Sequence, residues 1–169
     1  MKKLKARKKA VIALLVAGLV IALISIAGYL LWPKPILPQA VTKQATFTVY
    51  VPSSQEVKIA PDTAKYDKDL KLLSYNVSIN GINSVMSMQP VPESFTDIPQ
   101  YYDKVVAKMN EYTKFESING TVYLTRPTDM GGKQLAVMNT KGTLLFVRPD
   151  NDLTDDQWRL FFKNIDTLD

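Results

Sequence analysis

The sequence predicts an α+β protein: an N-terminal transmembrane helix, then an antiparallel β-sheet of three hairpins with two amphipathic helices on one face. Three observations support this. Residues 10–32 are uncharged and mostly apolar. Three pairs of strand-like segments flank short turns that contain Asn and Gly. Two further segments repeat apolar residues with the 3.6-residue period of a helix. We expect six to eight strands in all.

The first segment is long enough to cross a membrane. A helix of 23 residues at 1.5 Å per residue spans about 34 Å, and the hydrocarbon core is about 30 Å thick. Thirteen of these residues are Leu, Ile or Val, which favour insertion, and Pro33 ends the helix. Five residues represent this predicted membrane anchor. Ala10, Leu15 and Leu23 belong to its apolar body, and Tyr29 and Trp32 form its aromatic interfacial end.

A cleaved signal peptide is the alternative interpretation of this segment. Its apolar region would run for about 7–15 residues and end in a small-x-small cleavage site. The one weak match, Ser25-Ile26-Ala27, lies inside the apolar run, and Tyr29 to Trp32 still follow. A retained anchor is therefore the preferred prediction.

Basic residues predict the orientation of the anchor. Only Lys34 and Lys43 follow the span closely, whereas six basic residues precede it. Cytoplasmic flanks carry the excess of Lys and Arg. We therefore expect a single-pass protein of the cell membrane with a cytoplasmic N-terminus and an extracytoplasmic C-terminal domain. The topology determinants are Lys2, Lys3, Lys5, Arg7, Lys8 and Lys9.

Composition excludes several functions. The net charge of +5 comes from the N-terminal tail, because residues 33–169 carry 15 basic and 16 acidic side chains. Such a domain lacks the basic field of a nucleic-acid-binding protein. The chain has no histidine and no cysteine, which excludes imidazole bases, thiolate metal sites and disulfides. We predict no catalysis, no cofactor and no metal, and the absence of cysteine from an exported domain indicates a prokaryote.

Four segments follow from these patterns. Residues 1–9 form the basic cytoplasmic tail and 10–32 the transmembrane helix. Three prolines between 33 and 38 predict an extended, semi-rigid stalk over 33–44, with an ordinary disordered connector as the equal alternative. The extracytoplasmic α+β domain then covers 45–169.

The strands of the outer domain are predicted from alternation and turn residues. Two single strands come first, at Ala45–Val51 and Glu56–Ala60. In the first hairpin the period of two places Leu73, Tyr75, Val77 and Ile79 on one face. Asn-Gly is the preferred two-residue hairpin turn. The predicted hairpins are Lys71–Ile79 with Ile82–Gln89 around Asn80-Gly81, Phe115–Ile118 with Thr121–Thr125 around Asn119-Gly120, and Gln134–Met138 with Thr143–Val147 around residues 139–142.

Two helices are predicted from their apolar stripes. One covers 97–112, with a stripe made by Ile98, Tyr101, Tyr102, Val105, Met109 and Tyr112. The other covers 154–166. Thr154 and Gln157 have the spacing of a capping box, and Leu153 and Trp158 that of a hydrophobic staple.

The chain contains the strand end Val49-Tyr50-Val51-Pro52, the hairpin Ile118–Leu124, the strand Leu144–Val147, the helix start Leu153-Thr154-Asp155-Asp156 and the helix Trp158–Ile165. With these segments, the C-terminal half, from Phe115 to Leu168, resembles an uncharacterised extracytoplasmic domain family of Gram-positive anti-sigma-factor-like membrane proteins. The chain lacks the Pro-x-Gly-Tyr turn of that family and adds the helix at 97–112. The resemblance implies an envelope-facing module without known catalysis, and some relatives resemble lipoprotein-carrier half-barrels.

Three groups of residues are candidate sites. A calcium loop starting at Asp150 would need Gly and Glu where Asp155 and Phe161 stand, so these acidic residues indicate a helix cap. Ser53 and Ser54 lie in no nucleophile motif. The methionines could line a lipid groove, but core filling is the preferred interpretation for Met86, Met88, Met109 and Met138.

Three functional hypotheses follow. The first is a tethered binding, sensing or scaffold domain whose partners are the lipid bilayer and a protein or envelope component. The second is a carrier-like half-barrel that holds an acyl chain on the concave sheet face. The third is an enzyme that uses carboxylates such as Asp97, Asp103 or Glu111.

Overall fold

An antiparallel sheet of seven strands organises the outer domain. In a computed structural model the described residues are 36–93, 112–127 and 131–168, and they belong to one compact unit, Ile36–Asp169. The sheet has the strand order β2-β3-β4-β8-β7-β6-β5. Its strands are β2 (Val57–Asp67), β3 (Leu72–Ile79), β4 (Ile82–Pro90), β5 (Thr113–Ser117), β6 (Gly120–Thr125), β7 (Leu135–Thr140) and β8 (Thr143–Pro149).

Four shorter elements complete the described structure. A short helix, α1, covers Gln39–Thr42, and the longer α2 covers Asp155–Lys163. Two three-residue strands, β1 (Tyr50–Pro52) and β9 (Ile165–Thr167), pair antiparallel as a separate ribbon. The prediction of an antiparallel sheet with few helices is therefore confirmed. The predicted helix at 97–112 and the predicted span at 10–32 lie outside the described residues, apart from Tyr112.

The first hairpin confirms its prediction in detail. Ile79 pairs with Ile82, which leaves Asn80 and Gly81 as the two turn residues. Their φ angles are 49° and 84°, as a type I′ turn requires. The four β3 residues predicted to share a face are all buried.

The other two hairpins exist, but their turns differ from the prediction. Ser117 pairs with Gly120, so the second turn is Ile118-Asn119. Asn119 Nδ2 donates to the Ile165 carbonyl at 2.6 Å, and this tertiary contact holds it in the turn. Thr140 pairs with Thr143, so the third turn contains two residues, not the predicted four.

The stalk prediction is wrong for the described residues of 33–44. Leu37 is 1% exposed and belongs to the core, and α1 replaces the expected extended chain. Burial of the Leu37 side chain favours this packing, because it removes apolar surface from water. The Pro38 carbonyl accepts hydrogen bonds from the amides of Val41 and Thr42, a role that needs no N–H.

Two strand predictions need correction as well. The strand expected at Ala45–Val51 forms only at Tyr50–Pro52, because its ladder partner β9 has three residues. The short strand at Glu56–Ala60 belongs to β2, which runs on through Pro61 to Asp67 with a register shift. An edge strand tolerates proline. Within the shift, Thr63 Oγ1 donates to the Ala60 carbonyl and accepts from the Asn76 amide.

The core lies between the sheet and α2. The capping box is present, since Thr154 Oγ1 accepts from the Gln157 amide and Gln157 Oε1 accepts from the Thr154 amide. The helix ends at Lys163, three residues earlier than predicted. Its buried face is aromatic: Phe161 and Phe162 pack edge to face, with ring centroids 5.2 Å apart. Such pairs add about 0.5–1.5 kcal/mol to area burial.

Register defines two ends of the sheet. One end of the sheet contains the β2–β3, β5–β6 and β7–β8 turns. We call it the entry end, since α1, near the start of the described chain, packs there. The β3–β4 turn at Asn80-Gly81 and residues 150–154 lie at the opposite, far end.

Candidate functional site

The entry end contains an open cleft of 590 Å³. We call it the entry cleft. Its walls come from α1, the segment before β1, the β7–β8 turn and the end of the chain. The residues that matter for its chemistry are Thr42, Lys43, Phe47, Lys141, Thr167 and Leu168.

Backbone and side-chain hydrogen bonds hold the floor of this cleft. Thr143 Oγ1 donates to the Thr48 carbonyl at 3.0 Å, and the Leu168 amide donates to the Val49 carbonyl at 2.8 Å. The Tyr50 hydroxyl and Thr140 Oγ1 are 3.1 Å apart in the core beneath. These bonds join segments that are about 90 to 120 residues apart in sequence, so the cleft exists only in the folded chain.

The charged groups of the cleft are basic. Lys43 is the C-terminal cap of α1, and its amide donates to the Gln39 carbonyl at 3.0 Å. Lys141 sits in the β7–β8 turn with φ of 42°. Among the described residues that line the cleft, these two are the charged ones, and none is a carboxylate. Phe47 and Leu168 are half-buried and pack against the core.

A second cleft of 330 Å³ lies toward the far end, on the β2–β3–β4 face. Its lining mixes apolar residues with amide and hydroxyl side chains, and it contains Lys58 and Asp150 of opposite charge. Opposite charges in one shallow cleft select no single sign of ligand charge, so we regard it as the weaker candidate.

The acidic segment at 150–156 caps α2, as predicted. Asp155 and Asp156 occupy the first turn of the helix, where the positive end of its dipole favours carboxylates. Asp152 pairs with Arg126 at 2.6 Å, with both side chains more than half exposed. The hydrogen bonds that Arg126 donates to Asp152 raise the pKa of the guanidinium. Within the part of the chain that is described, no group of three or more Asp and Glu is placed to hold a metal.

The two serines considered as nucleophiles are part of the local structure. Ser53 Oγ donates to the Asn164 carbonyl at 3.1 Å, and Ser54 Oγ accepts from the Glu56 amide at 3.2 Å. Both bonds stabilise the loop between β1 and β2.

Three of the four methionines fill the core, which confirms that interpretation for them. Met86, Met88 and Met138 are fully buried. Met88 Sδ lies 3.2 Å from the Tyr50 amide nitrogen and accepts its hydrogen bond. Met109 lies outside the described residues, as do Asp97, Asp103 and Glu111.

The sheet face opposite α2 is apolar across β6, β7 and β8. Tyr123, Leu135, Val137 and Leu144 form a buried cluster there. Val91 packs against this cluster, and the Tyr112 ring lies 5.8 Å from the Tyr123 ring. Since these side chains are buried, they offer no open groove for an acyl chain at this position, and the carrier hypothesis stays a prediction.

The chain matches no protein-family model, no curated protein and no solved structure. The resemblance to the extracytoplasmic family stays a prediction. No helix within residues 36–93, 112–127 and 131–168 is both long and apolar enough to cross a membrane. The five anchor residues and six topology determinants named above fall outside these ranges.

Sequence reasoning missed the entry cleft. The sequence patterns place Lys43 in a stalk and Lys141 in a turn, and no pattern connects them. The one available signal was the basic residue in a hairpin turn, which is too common to indicate a site.

Proposed function

We propose that this chain is a single-pass, membrane-anchored outer domain that binds an envelope component or partner protein and does not catalyse a reaction. Its N-terminus faces the cytoplasm and its domain faces outward. The observation that supports this most directly is the burial of Leu37, five residues after Trp32. A chain of five residues spans at most about 18 Å. The domain would therefore be held close to the bilayer.

A short link favours a binding role at the membrane surface. A domain tethered within this distance meets lipids and neighbouring membrane proteins at high effective concentration. The entry cleft supplies an open, solvent-accessible site on the side where the chain enters the domain.

The polar residues that could have suggested catalysis have structural roles. Ser53 and Ser54 bond to backbone groups of neighbouring segments. Asp152 pairs with Arg126, and Thr154 caps α2. Because these groups are engaged in the fold, they do not favour a catalytic role. The carboxylates of the enzyme hypothesis, Asp97, Asp103 and Glu111, lie outside the described residues.

Fractionation and protease access test the proposal. The full chain is expressed in a bacterial host. It should stay in the membrane pellet after alkaline carbonate washing, and added protease should remove the domain from intact spheroplasts. Recovery of the wild-type chain in the soluble fraction, or a domain protected from protease until lysis, would contradict the proposal.

Matched variants separate insertion from expression. Leu15→Lys combined with Leu23→Lys should release the protein from the membrane, because a charge costs up to about 2.5–3.5 kcal/mol of insertion free energy near the helix centre and each lysine replaces a leucine that favours insertion. Leu15→Ile combined with Leu23→Ile should leave insertion unchanged. Replacing all six topology determinants by Gln should make the orientation mixed.

A further inference from the structure

We propose that the entry cleft binds the phosphate headgroup of an anionic phospholipid in the membrane that the chain spans. This proposal rests on the proposed anchor and names the ligand of the domain. It would dock the domain onto the outer leaflet in one orientation.

The positions of the two lysines suit a phosphate. Lys43 and Lys141 both line the cleft, one from the C-terminal cap of α1 and one from the β7–β8 turn. Both start from a backbone that is fixed, by the hydrogen bond to Gln39 and by the type I′ turn. A lysine ammonium is a compact charge with three donors and is a common ligand of phosphate. With no carboxylate among the described lining residues, an anion meets no repulsion from them.

The remaining lining suits the rest of a lipid headgroup. Thr167 brings a hydroxyl group to the cleft, which can donate to phosphate or glycerol oxygens. The Thr42 hydroxyl donates to the Pro38 and Gln39 carbonyls and can accept a hydrogen bond from a glycerol hydroxyl. Phe47 and Leu168 bring apolar surface, which can cover the glycerol backbone and the first acyl methylenes. A cleft with both features fits an amphipathic anion better than an inorganic ion.

The cleft is within reach of the bilayer. Gln39, at the start of the cleft wall, follows Trp32 by seven residues. Seven residues span at most about 25 Å. Each headgroup layer adds about 5–8 Å beyond the hydrocarbon core, so the chain length permits contact.

Exposed apolar residues lie at the same end of the sheet. Leu70, in the β2–β3 turn, is 65% exposed, and Ile118, in the β5–β6 turn, is 73% exposed. Ile36, which precedes the buried Leu37, is 45% exposed. The β2–β3 turn carries Lys68 and Lys71 beside Leu70, and also Asp69, with Asp67 just before it. Apolar side chains close to lysines occur on surfaces that rest in the interface of a membrane.

The test uses the full chain in lipid nanodiscs. The protein has no cysteine, so Gln44→Cys places one environment-sensitive dye beside the cleft, and Asn151→Cys places the same dye at the far end. Discs contain neutral phosphatidylcholine with increasing phosphatidylglycerol. We expect the emission of the dye beside the cleft to shift to the blue as the phosphatidylglycerol fraction rises. The dye at the far end should not respond.

Charge variants identify the site. Lys43→Gln or Lys141→Gln should each raise the phosphatidylglycerol fraction at half-maximal response about fivefold, and the double variant should lose the response. Lys58→Gln with Lys133→Gln removes the same charge from exposed positions toward the far end and should respond like the wild type. Added salt should weaken the wild-type response.

Three outcomes would overturn the proposal. One is an unchanged response in the double variant at the cleft. A second is a blue shift of the dye beside the cleft that is as large in neutral discs with added glycerol phosphate as in phosphatidylglycerol discs. The cleft would then bind free phosphate esters. The third is a protein that does not float with the discs, which would contradict the membrane anchor and the headgroup docking together. Flotation is therefore measured first, before the lipid composition is varied.

Discussion

The indole N–H of Trp158 donates a hydrogen bond to Gln134 Oε1, with 3.1 Å between the two atoms. The same amide pairs with the backbone of Leu153: Oε1 accepts from the Leu153 N–H at 2.8 Å, and Nε2 donates to its carbonyl at 3.0 Å. Trp158 and Leu153 are both buried. The side chain of Gln134, just before β7, therefore joins the start of α2 to the sheet by hydrogen bonds.

Gln134→Ala should destabilise the domain by about 2–4 kcal/mol, because it leaves buried donors and an acceptor without partners. Pulse proteolysis of the full chain across a urea series in detergent measures this loss. Lys133→Ala, at the neighbouring exposed position, is the control and should change stability by less than about 0.5 kcal/mol. Equal midpoints for the two variants would show that the Gln134 bonds contribute nothing.

Tyr75 makes the domain sensitive to alkali. Its hydroxyl donates to the Tyr50 carbonyl at 2.8 Å, and burial raises the pKa of the phenol. The unfolded chain ionises this group near pH 10, while the folded chain keeps it neutral. The unfolded state therefore loses its proton first. The contribution of this phenol to the free energy of unfolding is fully present below about pH 10. Above that pH it falls by at most about 1.4 kcal/mol per pH unit.

Tyr75→Phe tests this dependence. At pH 8 the variant should be about 1 kcal/mol less stable, because the Tyr50 carbonyl loses a hydrogen bond. Between pH 10 and 11.5 its stability should fall less steeply than that of the wild type. Urea midpoints measured at several pH values give both quantities. Parallel pH profiles would show that the Tyr75 phenol does not titrate differently in the two states.

Gly120 is required by a close approach of two strands. Its φ is 145°, and a Cβ added there would lie 2.5 Å from the Asn139 carbonyl oxygen. Gly120→Ala should therefore cost about 2–4 kcal/mol through strain and backbone displacement. Gly81→Ala is the matched control, since its added Cβ meets no atom within 4 Å and only the positive φ opposes it. It should cost about 1–2 kcal/mol. A smaller loss at Gly120 than at Gly81 would contradict this geometry.

Leu37 tests where the domain begins. Leu37→Ala should destabilise the full chain by about 2–5 kcal/mol, as expected for a buried leucine. Ile36→Ala, at the adjacent and largely exposed position, should cost under about 1 kcal/mol. Both are measured by pulse proteolysis in urea. If residues 33–44 were an extended stalk throughout, neither substitution would have an effect.

Elements specified by local chemistry were predictable from the sequence. The Asn80-Gly81 turn needs two positive φ angles, and few other dipeptides supply them, so the first hairpin was predicted with nearly correct bounds. The capping box at Thr154 and Gln157 depends on groups three residues apart, and it was predicted correctly.

Elements that depend on distant partners were mispredicted or missed. Asn119-Gly120 has the same dipeptide as the first turn, yet Asn119 bonds to Ile165 and Gly120 packs against Asn139. These contacts shift the turn by one residue. The ribbon of β1 and β9 and the entry cleft had no local signature, because each joins the start of the outer domain to its end.

The sequence by itself determined the composition limits, the apolar segment at 10–32, the basic residues before it and the alternating strands, because each depends on neighbouring residues. Only the tertiary structure decided the strand order, the position of Leu37 in the core and the cleft that Lys43 and Lys141 share. The physical reason is that burial and long-range hydrogen bonding act between segments that the sequence separates by up to about 120 residues.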